Sequence, residues 1–112
     1  MGDAAKRLLY GTLDTLILKT LEDGPRHGYG IARWLETATG ERIRVDESSL
    51  YPALYRLHEK GLVDAEWGTS ELDRRAKFYR LTGKGRRKLA AATAEWRDFA
   101  SAVSVVLLGA RE

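Results

Sequence analysis

The sequence of 112 residues contains no cysteine and only two histidines. The absence of cysteine excludes disulfides, thiolate nucleophiles and zinc–thiolate sites. The two histidines, His27 and His58, are separated by a whole predicted helix, so a histidine-based metal site is not expected either. No Ser/His/Asp or paired-carboxylate arrangement points to catalysis. We therefore expect a protein that is not an enzyme and that needs no metal or cofactor.

Long apolar runs and a strong excess of one charge are also missing. No segment reaches the length of a membrane span, and no long apolar run follows the N-terminal charges as in a signal peptide. We therefore expect a cytoplasmic protein without a membrane partner. The 19 Lys and Arg residues exceed the 16 Asp and Glu residues only slightly, which gives a net charge of +3. This charge is compatible with an anionic partner but does not by itself indicate DNA.

The composition is that of one small globular domain, with 44% hydrophobic and 31% charged residues. Apolar residues spaced three and four apart predict helices over residues 12–22 and 29–38. Leu18 falls off the main stripe of the first helix, which indicates a second face that contacts a partner as well as the core. Residues 41–45 alternate between polar and apolar side chains, and this pattern predicts a short edge strand.

Residues 45–61 predict a third helix with clear ends. We expect Ser48 or Ser49 as its N-cap, Pro52 in its first turn and Gly61 just beyond its last turn. Three leucines spaced four and three residues apart form one apolar face. The other face carries hydroxyls, phenols and one guanidinium, from Ser48, Ser49, Tyr51, Pro52, Tyr55 and Arg56. These groups suit a groove of DNA, and an ordinary solvated face is the alternative.

Residues 62–67 and 76–81 alternate at a period of two and predict a β-hairpin joined by a polar turn. Three cations lie at this turn or just after it: Arg74, Arg75 and Lys77. Three helices followed by a hairpin is the order of a winged helix-turn-helix, in which the third helix enters the major groove and the hairpin forms the wing.

The last helix is predicted to be long. Thr82 is a good N-cap, and the helix continues to about Leu108, which gives a rod of roughly 40 Å. Its apolar residues recur at alternating steps of three and four, as along the seam of a coiled coil; they are Leu89, Ala92, Trp96, Phe99, Val103 and Val106. We therefore predict a homodimer through this helix, with Leu9 and Leu18 as counterparts. The predicted fold is mostly α with a small β-hairpin wing: a winged helix-turn-helix over residues 1–82 and a C-terminal dimerisation helix over residues 83–112, in one compact unit.

Three segments of the chain are distinctive: residues 27–31 (HGYGI), 49–62 (SLYPALYRLHEKGL) and 74–85 (RRAKFYRLTGKG). Together, and in this order, they resemble the PadR family of bacterial transcriptional regulators. The resemblance implies a dimeric winged-helix repressor that binds a pseudo-palindromic operator and that is often released by a small aromatic or drug-like ligand. The single C-terminal helix is similar to that of the family's shorter members.

Ten residues are candidates to contact double-stranded DNA: Tyr29, Ser48, Ser49, Tyr51, Pro52, Tyr55, Arg56, Arg74, Arg75 and Lys77. Base edges would be met from the third helix, and phosphates or the minor groove from Tyr29 and the wing. For Tyr51, packing against the hairpin is the alternative.

Six residues are candidates for the dimer interface: Leu9, Leu89, Trp96, Phe99, Val103 and Val106. Trp96 also matches the position at which multidrug-sensing members of the family carry a tryptophan that stacks planar ligands. A small aromatic effector is therefore a further candidate partner, and filling the interface is the alternative role for this side chain. A winged-helix protein-interaction module without DNA binding or a ligand response is the alternative function.

Overall fold

The computed structural model describes residues 11–109. Within this range the order of elements is α1 (Leu13–Thr20), β1 (Arg26–His27), α2 (Gly28–Ala38), α3 (Glu47–Glu59), β2 (Val63–Thr69), β3 (Arg75–Leu81) and α4 (Gly83–Leu108). The predicted fold class is confirmed: three short helices precede a hairpin wing, and a 26-residue helix follows it. None of the helices between residues 11 and 109 is long and apolar enough to cross a membrane.

The core lies where α1, α2 and α3 meet, and the two wing strands and the beginning of α4 cover it. Leu18 is only 1% exposed and Leu89 only 5%, so both side chains belong to the protomer's own core. The prediction that they contact a second copy is corrected, because both are buried within a single protomer, in which α1 packs against α4. Leu9 lies outside the described residues.

The sheet has three antiparallel strands in the order β1-β3-β2. The third strand was not predicted: Arg26 and His27, which lie between the first two predicted helices, pair with Tyr79 and Phe78 of β3. The strand predicted over residues 41–45 does not form. Its backbone is instead held against the end of α2, where Ile43 donates its N–H to the Thr39 hydroxyl at 2.9 Å.

The third helix begins earlier than predicted. The carboxylate of Asp46, not a serine hydroxyl, caps it by accepting the N–H of Ser49 at 3.2 Å. Ser48 instead donates its hydroxyl to that carboxylate at 2.8 Å. Pro52 is consequently the sixth helical residue and not part of the first turn. The two other predicted caps are confirmed: Gly61 adopts a left-handed φ of 74° after α3, and Thr82 accepts the N–H of Gly85 at the start of α4.

Candidate nucleic-acid interface

The helix α3 separates an apolar face from a polar one, as its sequence predicts. Its buried side chains are Leu50, Ala53, Leu54 and Leu57. Its predicted DNA contacts are all exposed: Ser48, Ser49, Tyr51, Pro52, Tyr55 and Arg56. Tyr55 protrudes furthest among the aromatic residues of α3, with 67% of its surface accessible. The packing of one face on the core therefore leaves hydroxyl and phenol groups available along the other.

Tyr51 has a restrained position on this face. Its ring lies over Gly28, the first residue of α2, and a Cβ atom at residue 28 would fall 2.4 Å from the Tyr51 hydroxyl oxygen. In the wing, burial and, to a lesser extent, the Tyr51 phenol raise the pKa of Tyr79. Tyr51 is nevertheless 45% exposed. It therefore packs against the start of α2, beside the wing, while part of its ring remains accessible.

Arg56 forms an ion pair with a residue of another helix. Its guanidinium lies 2.9 Å from the Asp14 carboxylate in the first turn of α1, and both side chains are partly exposed. The two residues are 42 positions apart in the sequence, so no local pattern could have predicted the contact. Such partly exposed pairs contribute little stability, about 0–1 kcal/mol. The pair does, however, place the only arginine of α3 toward α1.

His27 connects α2 to the tip of the wing. It caps α2 by accepting the N–H of Gly30 on Nδ1 at 3.0 Å. Its other ring nitrogen, Nε2, lies 3.5 Å from the Glu71 carboxylate, and the His27 and Phe78 rings pack edge to face with their centroids 5.2 Å apart. The pKa of Glu71 is lowered, chiefly by a hydrogen bond from the backbone N–H of Glu71 and secondly by the contact with His27. Tyr29 is exposed one residue beyond Gly28, in the first turn of α2.

The tip of the wing holds three exposed cations: Arg74, Arg75 and Lys77. The turn before them is closed by Ser70, whose N–H donates to the Arg74 carbonyl at 2.8 Å. No carboxylate in residues 11–109 forms an ion pair with any of the three. Arg75 and Lys77 contact the indole ring of Trp67 instead, at 4.8 and 5.8 Å from its centroid. Trp67 was not among the predicted site residues, because only the strand register brings it beside these cations.

The distal half of α4 leaves an apolar seam uncovered in the protomer. Trp96, Phe99 and Val106 are exposed and Val103 is half-buried, whereas Leu89 is buried at the proximal end. The Trp96 and Phe99 rings lie 6.4 Å apart.

Residues 17–91 match the family described as "Transcriptional regulator PadR-like family". The chain belongs to this family. As a PadR-like protein it is a transcriptional regulator, and its family implies regulation through binding to DNA.

Solved structures agree with this membership over most of the chain. A transcriptional regulator from Clostridium thermocellum is 28% identical and superposes with a TM-score of 0.82, covering 90% of this chain and 98% of that one. A PadR family transcriptional regulator from Eggerthella lenta is 31% identical with a TM-score of 0.79, covering 93% and 88%. A PadR-like transcriptional regulator from Bacillus cereus is 27% identical with a TM-score of 0.77, covering 90% and 96%.

The PadR match ends at residue 91, between the candidate DNA contacts and the exposed seam of α4. All ten candidate DNA contacts lie inside residues 17–91, from Tyr29 in α2 to Lys77 in the wing. The exposed part of the α4 seam, from Trp96 to Val106, lies beyond it. The family profile thus covers the region with the DNA-facing candidates and the first third of α4.

Proposed function

We propose that this PadR-like regulator is a homodimeric repressor that binds a pseudo-palindromic operator. The observation that carries the proposal is that α3 has an exposed polar face and that the wing following it along the chain carries three exposed cations without a carboxylate partner among residues 11–109. In winged helix-turn-helix proteins the third helix lies in the major groove, so the two surfaces would meet one stretch of duplex from a single protomer.

The two surfaces would have different tasks. Ser48, Ser49 and Tyr55 offer hydroxyl groups that can donate to or accept from base edges, and the Pro52 ring can contact a thymine methyl. Arg74, Arg75 and Lys77 would bind phosphates or enter the minor groove. Tyr29, exposed in the first turn of α2, would contact a phosphate there.

The dimer is supported by the composition of the uncovered seam on α4. Exposed aromatic and branched side chains at Trp96, Phe99 and Val106 form an apolar surface of a kind that soluble proteins usually bury against a partner. Two copies joined by a two-fold axis would present two α3 helices to two half-sites. The same axis would bring two Trp96 rings near each other, and a planar aromatic effector could stack between them.

The operator can be identified by selecting bound sequences from a random DNA library, with footprinting of the DNA upstream of the protein's own gene. We expect an inverted repeat with half-sites separated by one helical turn, because the dimer axis must coincide with that of the DNA. Affinity should fall steeply with salt, since phosphate contacts release counterions. Transcription in vitro from a promoter containing the site should decrease when the protein is added. Selection of no sequence, with weak salt dependence, would favour the protein-interaction module instead.

Dimerisation can be tested separately by sedimentation. We expect Phe99→Asp to give a monomer at micromolar concentration, because the substitution places a charge within the apolar seam. Ser101→Asp is the matched control, since Ser101 is exposed on the opposite side of α4. A wild-type monomer, or a dimer that survives Phe99→Asp, would contradict the proposed interface.

A further inference from the structure

We infer that Trp67 is a positioning residue for DNA binding, which holds Arg75 and Lys77 in place without neutralising their charge. The inference rests on the proposed function, because it concerns how the wing presents cations to phosphates. Trp67 lies in β2, and 55% of its surface is exposed. Its exposed ring contacts two cations of the neighbouring strand, Arg75 and Lys77.

The strand register places all three side chains on one face of the wing. Trp67 is paired with Lys77, and Thr69, two residues further along β2, is paired with Arg75. Side chains alternate between the faces of a strand, so Trp67 lies directly opposite Lys77 and diagonally opposite Arg75. Val63 and Tyr79, which belong to the core, lie on the same face nearer the body of the protein. The ring and its two cations therefore extend that face beyond the core.

The chemistry of the ring suits this place. Arg75 and Lys77 are two residues apart on the same strand face, so their like charges repel each other. The face of an indole carries negative electrostatic potential and attracts cations, and Trp is the strongest of the aromatic residues in this respect. The ring has no net charge. Both cations can therefore be held in position and still present their full charge to phosphate oxygens.

The opposite face of the same strand shows the other way to hold a cation. Arg80 alternates away from Arg75 and Lys77, and its guanidinium lies 3.0 Å from the Glu66 carboxylate on β2. There the Glu66 carboxylate restrains the Arg80 side chain and also neutralises its charge. On one face of the wing, Arg80 is thus paired with a carboxylate. On the other face, Arg75 and Lys77 contact the uncharged ring of Trp67.

The expected effect is moderate. An exposed cation–π contact corresponds to roughly a two- to fivefold change in an equilibrium constant. We therefore expect Trp67→Leu to weaken binding to the selected operator about fivefold, and Trp67→Phe to weaken it less, because a smaller ring is retained. Trp67→Glu should weaken it more than Trp67→Leu, since a carboxylate would restrain the cations and also cancel their charge.

A double-mutant cycle separates positioning from a purely structural role. Trp67→Leu is compared with the parent chain in two backgrounds, wild type and Arg75→Ala/Lys77→Ala, with thermal melting to establish that each variant is folded. If Trp67 acts through the two cations, its substitution has no further effect once they are absent. The slope of log affinity against log salt should change little for Trp67→Leu but decrease for Arg75→Ala/Lys77→Ala, because only the latter loses phosphate contacts.

Each outcome has a distinct meaning. Equal losses from Trp67→Leu in both backgrounds would overturn the inference, as would a Trp67→Glu variant that binds like wild type. Arg80→Ala is the matched control and should leave affinity nearly unchanged, because its charge is already paired. If Arg75→Ala/Lys77→Ala binds DNA as tightly as wild type, the proposed role of the wing itself is wrong, independently of Trp67.

Discussion

The third helix and the wing, which are adjacent along the chain, present very different chemistry to the same side of the proposed complex. The exposed face of α3 is made of hydroxyls and phenols, and its only arginine, Arg56, is paired with Asp14. The tip of the wing has three cations with no carboxylate partner among residues 11–109. One region can therefore read bases with little general attraction for DNA, and the other can attract DNA with little ability to read it.

This contrast explains how a chain with a net charge of only +3 can serve as a DNA-binding regulator. Phosphate contacts supply much of the affinity for DNA of any sequence, and contacts to base edges supply the discrimination. We propose that the unpaired cations at the tip of the wing perform the first task. Affinity and specificity should consequently be separable by substitution.

The largest effect is expected from removing the wing cations. The triple substitution Arg74→Ala/Arg75→Ala/Lys77→Ala should weaken binding at least about tenfold on the operator and on unrelated DNA alike, because phosphate contacts carry no sequence information. The slope of log affinity against log salt should become shallower by about 2.7 per protomer. Titrations by fluorescence anisotropy at several salt concentrations measure both quantities. A loss confined to the operator would place base recognition in the wing and remove the contrast.

The next effect concerns Tyr55 on α3. Tyr55→Ala should cost about 1 kcal/mol on the operator, roughly fivefold, but leave affinity for unrelated DNA and the salt slope unchanged, as expected for a single contact to a base edge. His58→Ala is the control, because His58 is exposed on the same helix but lies nearer its C-terminal end. Equal weakening on both DNAs would instead make Tyr55 a backbone contact.

Local patterns in the sequence were sufficient to predict most of the fold. The helical periodicity of apolar residues, the N-cap at Thr82 and the left-handed φ at Gly61 depend only on residues close together in the sequence. The helices and both caps were therefore predicted correctly. The strand β1 was missed because its two residues become a strand only by pairing with β3, some fifty residues later. The start of α3 was predicted too late because Asp46, Ser48 and Ser49 are all good N-cap residues. In the structure Asp46 is the N-cap.

Contacts across the fold were beyond the reach of such patterns. Three contacts join different elements of the fold: the ion pair of Arg56 with Asp14, the packing of Tyr51 on Gly28 and the contact of Arg75 with Trp67. For the same reason, Leu89 was assigned to the dimer seam: its spacing matches the seam, but the start of α4 packs on the protomer's own core.

A third prediction tests whether Tyr51 depends on α2 for its position. Gly28→Ala places a Cβ against the Tyr51 hydroxyl and should displace the ring, weakening operator binding severalfold with little loss of stability, since a side chain can move more easily than backbone. Binding by Gly28→Ala, Tyr51→Ala and the double variant forms the test. The double variant should bind no more weakly than Tyr51→Ala alone. Gly30→Ala is the control, because a Cβ there meets its neighbours at 3.4 Å or more.

A smaller effect is expected from releasing Arg56. Asp14→Asn removes the charge that holds the guanidinium and should strengthen binding to DNA of any sequence slightly, about twofold, while costing no more than about 1 kcal/mol of stability. Arg56→Ala in the Asp14→Asn background should abolish that gain. Anisotropy and chemical denaturation measure the two quantities. Weaker DNA binding by Asp14→Asn would mean that the ion pair holds Arg56 in its DNA-binding position, and α3 would then share in phosphate binding.

The smallest effect concerns the contact between Glu71 and His27, by which the wing tip is attached to α2. The pKa of Glu71 is lowered from its ordinary value of 4.5, so its carboxylate favours the folded protein above that pH. This contribution should disappear as the pH falls below 4.5 through the folded-state pKa, and it should be constant from pH 6 to 8. An NMR titration of the Glu71 side chain should have its midpoint below 4.5. His27→Gln should raise that midpoint only in part, because the hydrogen bond from the Glu71 backbone N–H is the larger cause of the shift. A midpoint unchanged by His27→Gln would show that α2 and the wing tip are not coupled through this contact.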